Sequence, residues 1–598
     1  MEKNYLSGRL EFNPVNHTWY LIDLTGSELL KSDPASSFAA RPLHENIFDP
    51  GVNAHSIALY KNSFAANLTA NSSLRANSFE VDTNHYMISK AGHCFARQDK
   101  PEAAITRQKN PRRLRSKNAT AGIISFALAA LSSTALVNPV IAGNILPQGG
   151  VVASGSGSIS SVNNGTGLQI KQNSQVLGLN WNSFSIGVGN KVIFDQPSST
   201  SVAINRVVGN SRSEIFGSIQ SNGQVFLLNP NGVLLARTAQ IDTGAFVAAA
   251  AQDAKRNTNG SWTVSGISNA EVINQGNIRA KGQGGFVVLA GAQVSNEGSL
   301  QASSGVALAA GESVSLALDN NQLLTVKVDG AKLKALVQNK GIILADGGAV
   351  YLTASGRDTL LGTVVNNEGI IQARGVSNKG GRIILSGIGG DVLNSGKLDV
   401  SGKAKGTKGG LVALNGNRVA VTGNAEIDAS GVAGGGRVII GGDQLGKATD
   451  VINVNLSDQT VIGPNVRIDI GSSEGNGGFV ETSGHQLSMQ GSVVGASAGA
   501  AGQWLIDPND VTISSSATTN MSANPFTPTG AGAGTVNNGS IQTALNSGTD
   551  VTITTAGSGT AAGNITWSSG NISKTSGGNA TLTLRADASI NSVRNIQQ

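Results

Sequence analysis

The sequence predicts an all-β chain: a right-handed parallel β-helix with an N-terminal cap, preceded by a leader and signal region that is disordered or helical. Three observations predict it. Short alternating apolar runs recur between Asn-x-Gly and Gly-Gly corners, glycine supplies 78 of the 598 residues, and aromatic residues supply only 4%. Strands of this size at a recurring spacing, bounded by Gly and Asn, are the signature of a β-solenoid. Its core is one residue layer thick, so few aromatics fill it. Glycine without a collagen period excludes a triple helix, and the regular Val, Ile and Leu argue against general disorder.

Residues 1–86 carry no repeat and no clear period, and they read as a leader whose translation is open, with Met87 as the alternative start. Residues 87–142 read as an extended signal peptide. Met87 to Lys117 holds nine Lys or Arg against Asp99 and Glu102, and Arg112, Arg113, Arg115 and Lys117 lead into an Ala-rich run from Ala119 to Val137. That run closes on Pro139-Val140-Ile141-Ala142 before Gly143, which predicts cleavage between Ala142 and Gly143 after passage through the Sec translocon. Ser125, Ser132, Ser133 and Thr134 interrupt it, so it is too weakly apolar for a membrane span.

The net charge of +6 belongs to this segment, because the chain from Gly143 onward holds 28 basic and 26 acidic residues. A nucleic-acid partner, which needs a basic face, is therefore not expected. The sole cysteine, Cys94, also precedes Gly143 and excludes a disulfide-stapled fold.

Residues 143–250 hold the most informative stretch, Asn229-Pro230-Asn231-Gly232, set between the apolar runs Gln224 to Leu228 and Val233 to Ala236. Asn and Pro suit the first corners of a tight turn, Asn231 tolerates the third and Gly232 relieves the last. Upstream lie Gly178-Leu179-Asn180-Trp181-Asn182-Ser183-Phe184 and Ala203-Ile204-Asn205-Arg206-Val207, and Ser213 to Ile219 runs between them and the turn. Ala239 to Phe246 follows it.

In this order and spacing, these residues resemble the N-terminal secretion domain of the filamentous haemagglutinin family, the exoproteins of bacterial two-partner secretion. The resemblance covers about residues 144–250. A second family motif, Asn-Pro-Asn-Leu, is absent here and bears on subfamily. The resemblance implies recognition by a dedicated outer-membrane transporter. It places Asn180, Trp181, Phe184, Asn205, Arg206, Asn229, Pro230, Asn231 and Gly232 at secretion-motif positions. Trp181 and Phe184 read first as core plugs, and Arg206 as a partner for Glu214 or Asp195.

Residues 251–490 are the solenoid proper. Asn274-Gln275-Gly276 leads to Gly284-Gly285, Asn339-Lys340-Gly341 to Gly347-Gly348, Asn367-Glu368-Gly369 to Gly380-Gly381, and Asn394-Ser395-Gly396 to Gly409-Gly410. Alternate Val, Ile and Leu fill a narrow interior, coils stack at about 4.8 Å, and stacked Asn side chains can bond along the axis. Residues 491–598 change texture. Gly502 to Ile513 resembles a junction of larger family members, Ser540 to Gly548 reads as a short amphipathic turn or helix, and Asp550 to Thr554 as a strand. Asp507 and Asp510 read as turn formers. The repeat stops in mid-pattern at Gln598, as in a truncated or split reading frame.

No P-loop, dinucleotide fingerprint, GxSxG elbow, HExxH or EF-hand loop occurs, and His485 is the one histidine after Gly143. No catalysis, metal or cofactor is expected. The reading is a secreted or surface-exposed adhesin or haemagglutinin-like exoprotein, with a receptor on a host or neighbouring cell left open. Two alternatives stand: the delivery stalk of a contact-dependent toxin or cytolysin, and a β-helix polysaccharide lyase or hydrolase, which would need charged residues aligned in one groove.

Overall fold

The computed structural model describes residues 5–13, 18–22, 79–82, 86–88, 94–96 and, from 144 to 597, all but 283, 357–362, 377–379, 443–455, 516–533, 556–560 and 593–595. The chain divides into two units, 1–130 and 131–598. Where the leader was expected to be disordered or helical, its described residues are short strands. Tyr5–Asn13 pairs antiparallel with Thr18–Ile22 and with Phe79–Asp82, and Tyr86–Ile88 with Cys94–Ala96. Ala142, Gly143 and the apolar signal run lie outside the described residues.

The second unit is a parallel β-helix. Three long sheets, of 15, 13 and 14 strands, run along it, and up to Val494 successive strands pass from one to the next. In one coil, Gln224–Leu228 lies in the first sheet, Val233–Leu235 in the third and Gln240–Thr243 in the second, before Ala245–Ala249 returns to the first. Asn-x-Gly makes the corner from third sheet to second, and Gly-Gly the corner from second to first. Strand alternation puts Val225, Phe246, Val287, Val306, Val350, Ile383, Val412, Val438, Val480, Trp504 and Val551 in one continuous inward column. A stack built this way is held by nearest-neighbour contacts. The three sheets run unbroken past residue 250, but the second ends at Ser492–Val494, beyond which Val511–Ser514 and Gly534–Asn537 both join the third sheet.

The leading edge is closed by antiparallel strands. Val151–Ser154 covers Val176–Trp181, and Gly157–Val162 folds back over Gly167–Gln172 through Asn163 and Asn164, both at positive φ. Reversing strand direction here blunts an edge that would otherwise accept another chain.

The Asn corners form a ladder. Asn274, Asn296, Asn339, Asn367 and Asn394 stand in register, all fully buried. Each Nδ2 donates to the Oδ1 of the next at 2.8, 2.8, 2.8 and 2.7 Å. The ladder ends where Leu235 and Val421 take the equivalent register. The glycine two residues on is required by close approach: a Cβ at Gly369 would sit 2.2 Å from the Gly341 carbonyl oxygen.

One feature has no counterpart in the repeat. Asp253–Arg256, Trp262–Ser265, Ser313–Leu318 and Leu324–Asp329 form a four-stranded antiparallel sheet. It covers the outer face of the first sheet and encloses a second apolar core with Val202, Ile204, Phe226, Val247 and Val288. Phe226 and Trp262 meet there edge-on, with ring centroids 5.1 Å apart. Burial on both faces explains the unbroken apolar strands Ala245–Ala249, Phe286–Gly291 and Gly305–Ala310. Further along, Asn538–Asn546 is a helix, capped by Asn537 accepting from the Gly539 N–H at 2.8 Å, and Thr549–Thr554 is the strand after it.

Candidate functional site

The Asn229 to Gly232 turn joins first and third sheets at the corner of an early coil. Gly232 N–H donates to the Asn229 carbonyl at 2.9 Å, and Gly232 takes φ +99°, which suits glycine. Asn229 is fully buried. Its Oδ1 accepts from the Asn231 N–H at 2.9 Å, and its Nδ2 donates to the Ser211 carbonyl and to Ser213 Oγ, both at 2.9 Å. Asn231 Nδ2 donates to the Gly209 carbonyl at 2.8 Å, and Ser268 Oγ of the following coil donates to the Pro230 carbonyl at 2.6 Å. The turn is thus sewn to the coil before it and the coil after it. A buried amide with every bond made fixes one conformation, and its loss strands polar groups.

The upstream motifs reach the same corner. Trp181 Nε1 donates to Asn205 Oδ1 at 3.0 Å, and Asn205 Nδ2 donates to the Phe226 carbonyl at 3.2 Å. Trp181 and Phe184 pack edge-to-face, centroids 5.5 Å apart, each only 1% exposed, which makes them core plugs. The Trp181 carbonyl receives the Val208 N–H, one residue before the carbonyl that holds Asn231. The structure therefore unites Trp181, Phe184, Asn205 and Asn229 as a buried set. Asn180 and Arg206 stand in register on adjacent strands, both partly exposed.

Arg206 corrects an expectation. It pairs with Asp253, Nε to Oδ1 2.7 Å, in place of Glu214 or Asp195. Val202 and Ile204 face outward from the first sheet, and Arg206 continues that alternation toward the cover, whereas Glu214 and Asp195 sit on the third and second sheets. Sequence reasoning missed Asp253, Ser211, Ser213 and Ser268. None of them lies in a repeat, and only Asp253 carries a charge that could have suggested a partner. Asp507 and Asp510, expected as turn formers, bond across coils instead: Asp507 lies in the strand Gly502–Pro508 and accepts from Thr554 Oγ1 at 2.7 Å, and Asp510 Oδ1 accepts from the Gly563 and Asn564 N–H groups at 2.8 and 2.6 Å. His485 Nδ1 meets Asn509 Nδ2 at 3.1 Å.

A parallel β-helix with a capped leading edge and a buried Asn and Trp lattice in its first coils defines a stacked, solenoid-type chain. A family model for the TPS secretion domain matches residues 143–400. Two curated heme/hemopexin-binding proteins of Haemophilus influenzae are similar: one, of strain Rd, is 34% identical over 270 residues, covering 44% of this chain and 29% of that protein. The other is 30% identical over 246 residues, covering 37% and 26%. The chain spans under a third of the length of either relative. The crystal structure of the HMW1 secretion domain from Haemophilus influenzae superposes with a TM-score of 0.52 at 27% identity, over 60% of this chain and 95% of that one.

Residues 143–400 are a TPS secretion domain, and the chain that carries it is a two-partner secretion exoprotein. Such a domain is recognised by an outer-membrane transporter, through which exoproteins of this kind are secreted. Among the described residues no helix is long and apolar enough to cross a membrane.

Proposed function

We propose that the first coils do two jobs, capping the stack and presenting the surface that the transporter reads, and that the exported chain is a non-enzymatic adhesin at the bacterial surface. The observation that carries the first part is the Asn229 to Gly232 turn, bonded to residues 209–213 before it and Ser268 after it. That arrangement completes only when three successive coils are in place, so the motif couples recognition to coil stacking. Asn180, Arg206, Pro230 and Asn231 are the partly exposed members and the contact residues of this reading; Trp181, Phe184, Asn205 and Asn229 hold them. Delivery to the periplasm runs through the Sec translocon, with cleavage between Ala142 and Gly143.

Secretion in cells co-expressing the partner transporter tests this. Asn231→Ala should lower the amount outside the cell several-fold while costing no more stability than Asn394→Ala, which lies at the far end of the ladder and should leave secretion unchanged. Equal secretion of all three proteins would overturn the assignment. N-terminal sequencing of secreted protein checks the Ala142–Gly143 bond.

A second reading, capture of heme or of hemopexin, is favoured by the identity to the two Haemophilus influenzae proteins. Pull-down of purified hemopexin and spectral titration with hemin test it, and a null result in both removes it.

A further inference from the structure

Where the four-stranded cover ends, the outer face of the first sheet opens into a groove of about 570 Å³. Its wall is the last cover strand, Val326 to Val328. Its floor runs along the stack. Thr353, Ser386 and Asn415 stand in register on three adjacent strands, so they follow one another at the interstrand spacing of about 4.8 Å. Thr353 is 8% exposed and Ser386 5% exposed, and neither side-chain hydroxyl has a hydrogen-bond partner among the described residues. Neither is among the fully enclosed polar atoms that lack a partner, so both hydroxyls open onto the groove and are free to bond a ligand laid there. Half-buried Tyr351 and buried Ile384 form the adjoining apolar row.

The charge of the groove narrows the ligand. Lys327 is matched by Asp329, Nζ to Oδ1 2.7 Å, and Asp458 stands exposed at the opposite rim. Among the described lining residues no unmatched cation remains to attract an acidic ligand. An extended peptide adding itself as a strand needs an open sheet edge, and these strands are central, paired on both sides. What fits is a chain bearing hydroxyls at a regular repeat and apolar C–H faces. Hydroxyl groups both donate and accept, as Thr and Ser do, and an aromatic ring packs against C–H.

We propose that this groove binds a neutral oligosaccharide laid along the axis of the stack, with Thr353 and Ser386 bonding successive sugar units, Tyr351 packing beside them and the cover strand closing one end. The proposal deepens the adhesin reading by naming its ligand class, and it rests on that reading only for its setting. Substitutions here should not disturb folding, because Thr353 and Ser386 face outward from the main core and have no bonds to lose.

The test applies the labelled full-length secreted chain to an array of immobilised oligosaccharides, neutral hexose and N-acetylhexosamine chains beside sialylated, uronate-containing and sulfated ones. Neutral chains should be retained, and the double variant Thr353→Val with Ser386→Ala should weaken retention about tenfold, as two lost hydrogen bonds imply, with an unchanged melting profile. Retention of acidic chains alone, no retention at all, or equal retention by the double variant overturns the proposal. Retention on the array without attachment of cells that display the chain leaves the groove assigned and overturns the adhesin reading instead.

Discussion

The Asn ladder makes a prediction that depends on position within the stack. Asn339 is a middle rung: it accepts from Asn296 Nδ2 and donates to Asn367 Oδ1, both at 2.8 Å. Asn394 is the last rung and accepts only from Asn367, at 2.7 Å. Asn339→Ala therefore orphans a side-chain donor and a side-chain acceptor in a fully buried place, whereas Asn394→Ala orphans one side-chain donor and gives up the longer bond, at 3.2 Å, to the Gly396 carbonyl. With about 1–3 kcal/mol for each stranded group, and with the Gly298 carbonyl 3.4 Å from Asn296 Nδ2 offering partial relief, the middle rung is worth about 3 kcal/mol and the end rung about 1.5 kcal/mol.

A stack of this kind need not unfold in two states, so a global melt does not resolve one rung from another. Hydrogen exchange is local. The Glu368 and Gly369 N–H groups donate to the Asn339 carbonyl at 2.8 and 3.1 Å, and Ser395 and Gly396 donate likewise to Asn367 at 2.8 and 3.2 Å. Protection of Glu368 and Gly369 should fall about 100-fold in Asn339→Ala, and that of Ser395 and Gly396 about tenfold in Asn394→Ala. Equal losses in the two variants, or no loss in the first, would refute the view that the ladder stabilises through paired buried amides.

Trp181→Phe keeps the packing on Phe184 but strands Asn205 Oδ1, and should lower the denaturation midpoint of the first coils by an amount equivalent to about 1–3 kcal/mol, read by protease protection. Asp253→Asn breaks a partly exposed pair, so it should cost under about 1 kcal/mol in chemical denaturation, while Glu214→Gln and Asp195→Asn, which do not touch Arg206, should change nothing. Burial pushes the Asp399 carboxyl up, but bonds from Ser401 and Arg374 outweigh it and hold the group below its ordinary value. Its stability contribution is thus fully present above the unfolded carboxylate value of about 3.9 and disappears as pH falls through the depressed folded one. Melting profiles from pH 6 to pH 2 should fall more steeply for the wild type than for Asp399→Asn.

The coils were legible because they obey two local rules, alternation along a strand and glycine or asparagine at a corner. Asn339-Lys340-Gly341 and Gly347-Gly348 state both within ten residues, and the structure follows them. The cover was not legible. Phe226, Val247 and Val288 read as ordinary members of apolar strands, and nothing near them says that their outer faces are roofed. The roof comes from the segments around residues 253–265 and 313–329, which lack any repeat and pair across about 50 residues of chain. The same blindness hid the Arg206 partner, since Asp253 opens the first roof strand. The neutral groove was hidden too, because it exists only where the roof stops. Around the Asn229 to Gly232 turn, Trp181 and Phe184 were legible as core plugs, but the burial of Asn205 and Asn229 came from the corner geometry.

The roof also changes how the stack should behave under load. Trp262–Ser265 and Ser313–Leu318 leave from different coils and bond to each other, so they tie together turns that would otherwise touch only their neighbours. A filament pulled from its far end would shed its later coils singly, as small regular steps in a force trace, and then stall at this splint until the tied block gave way in one larger event.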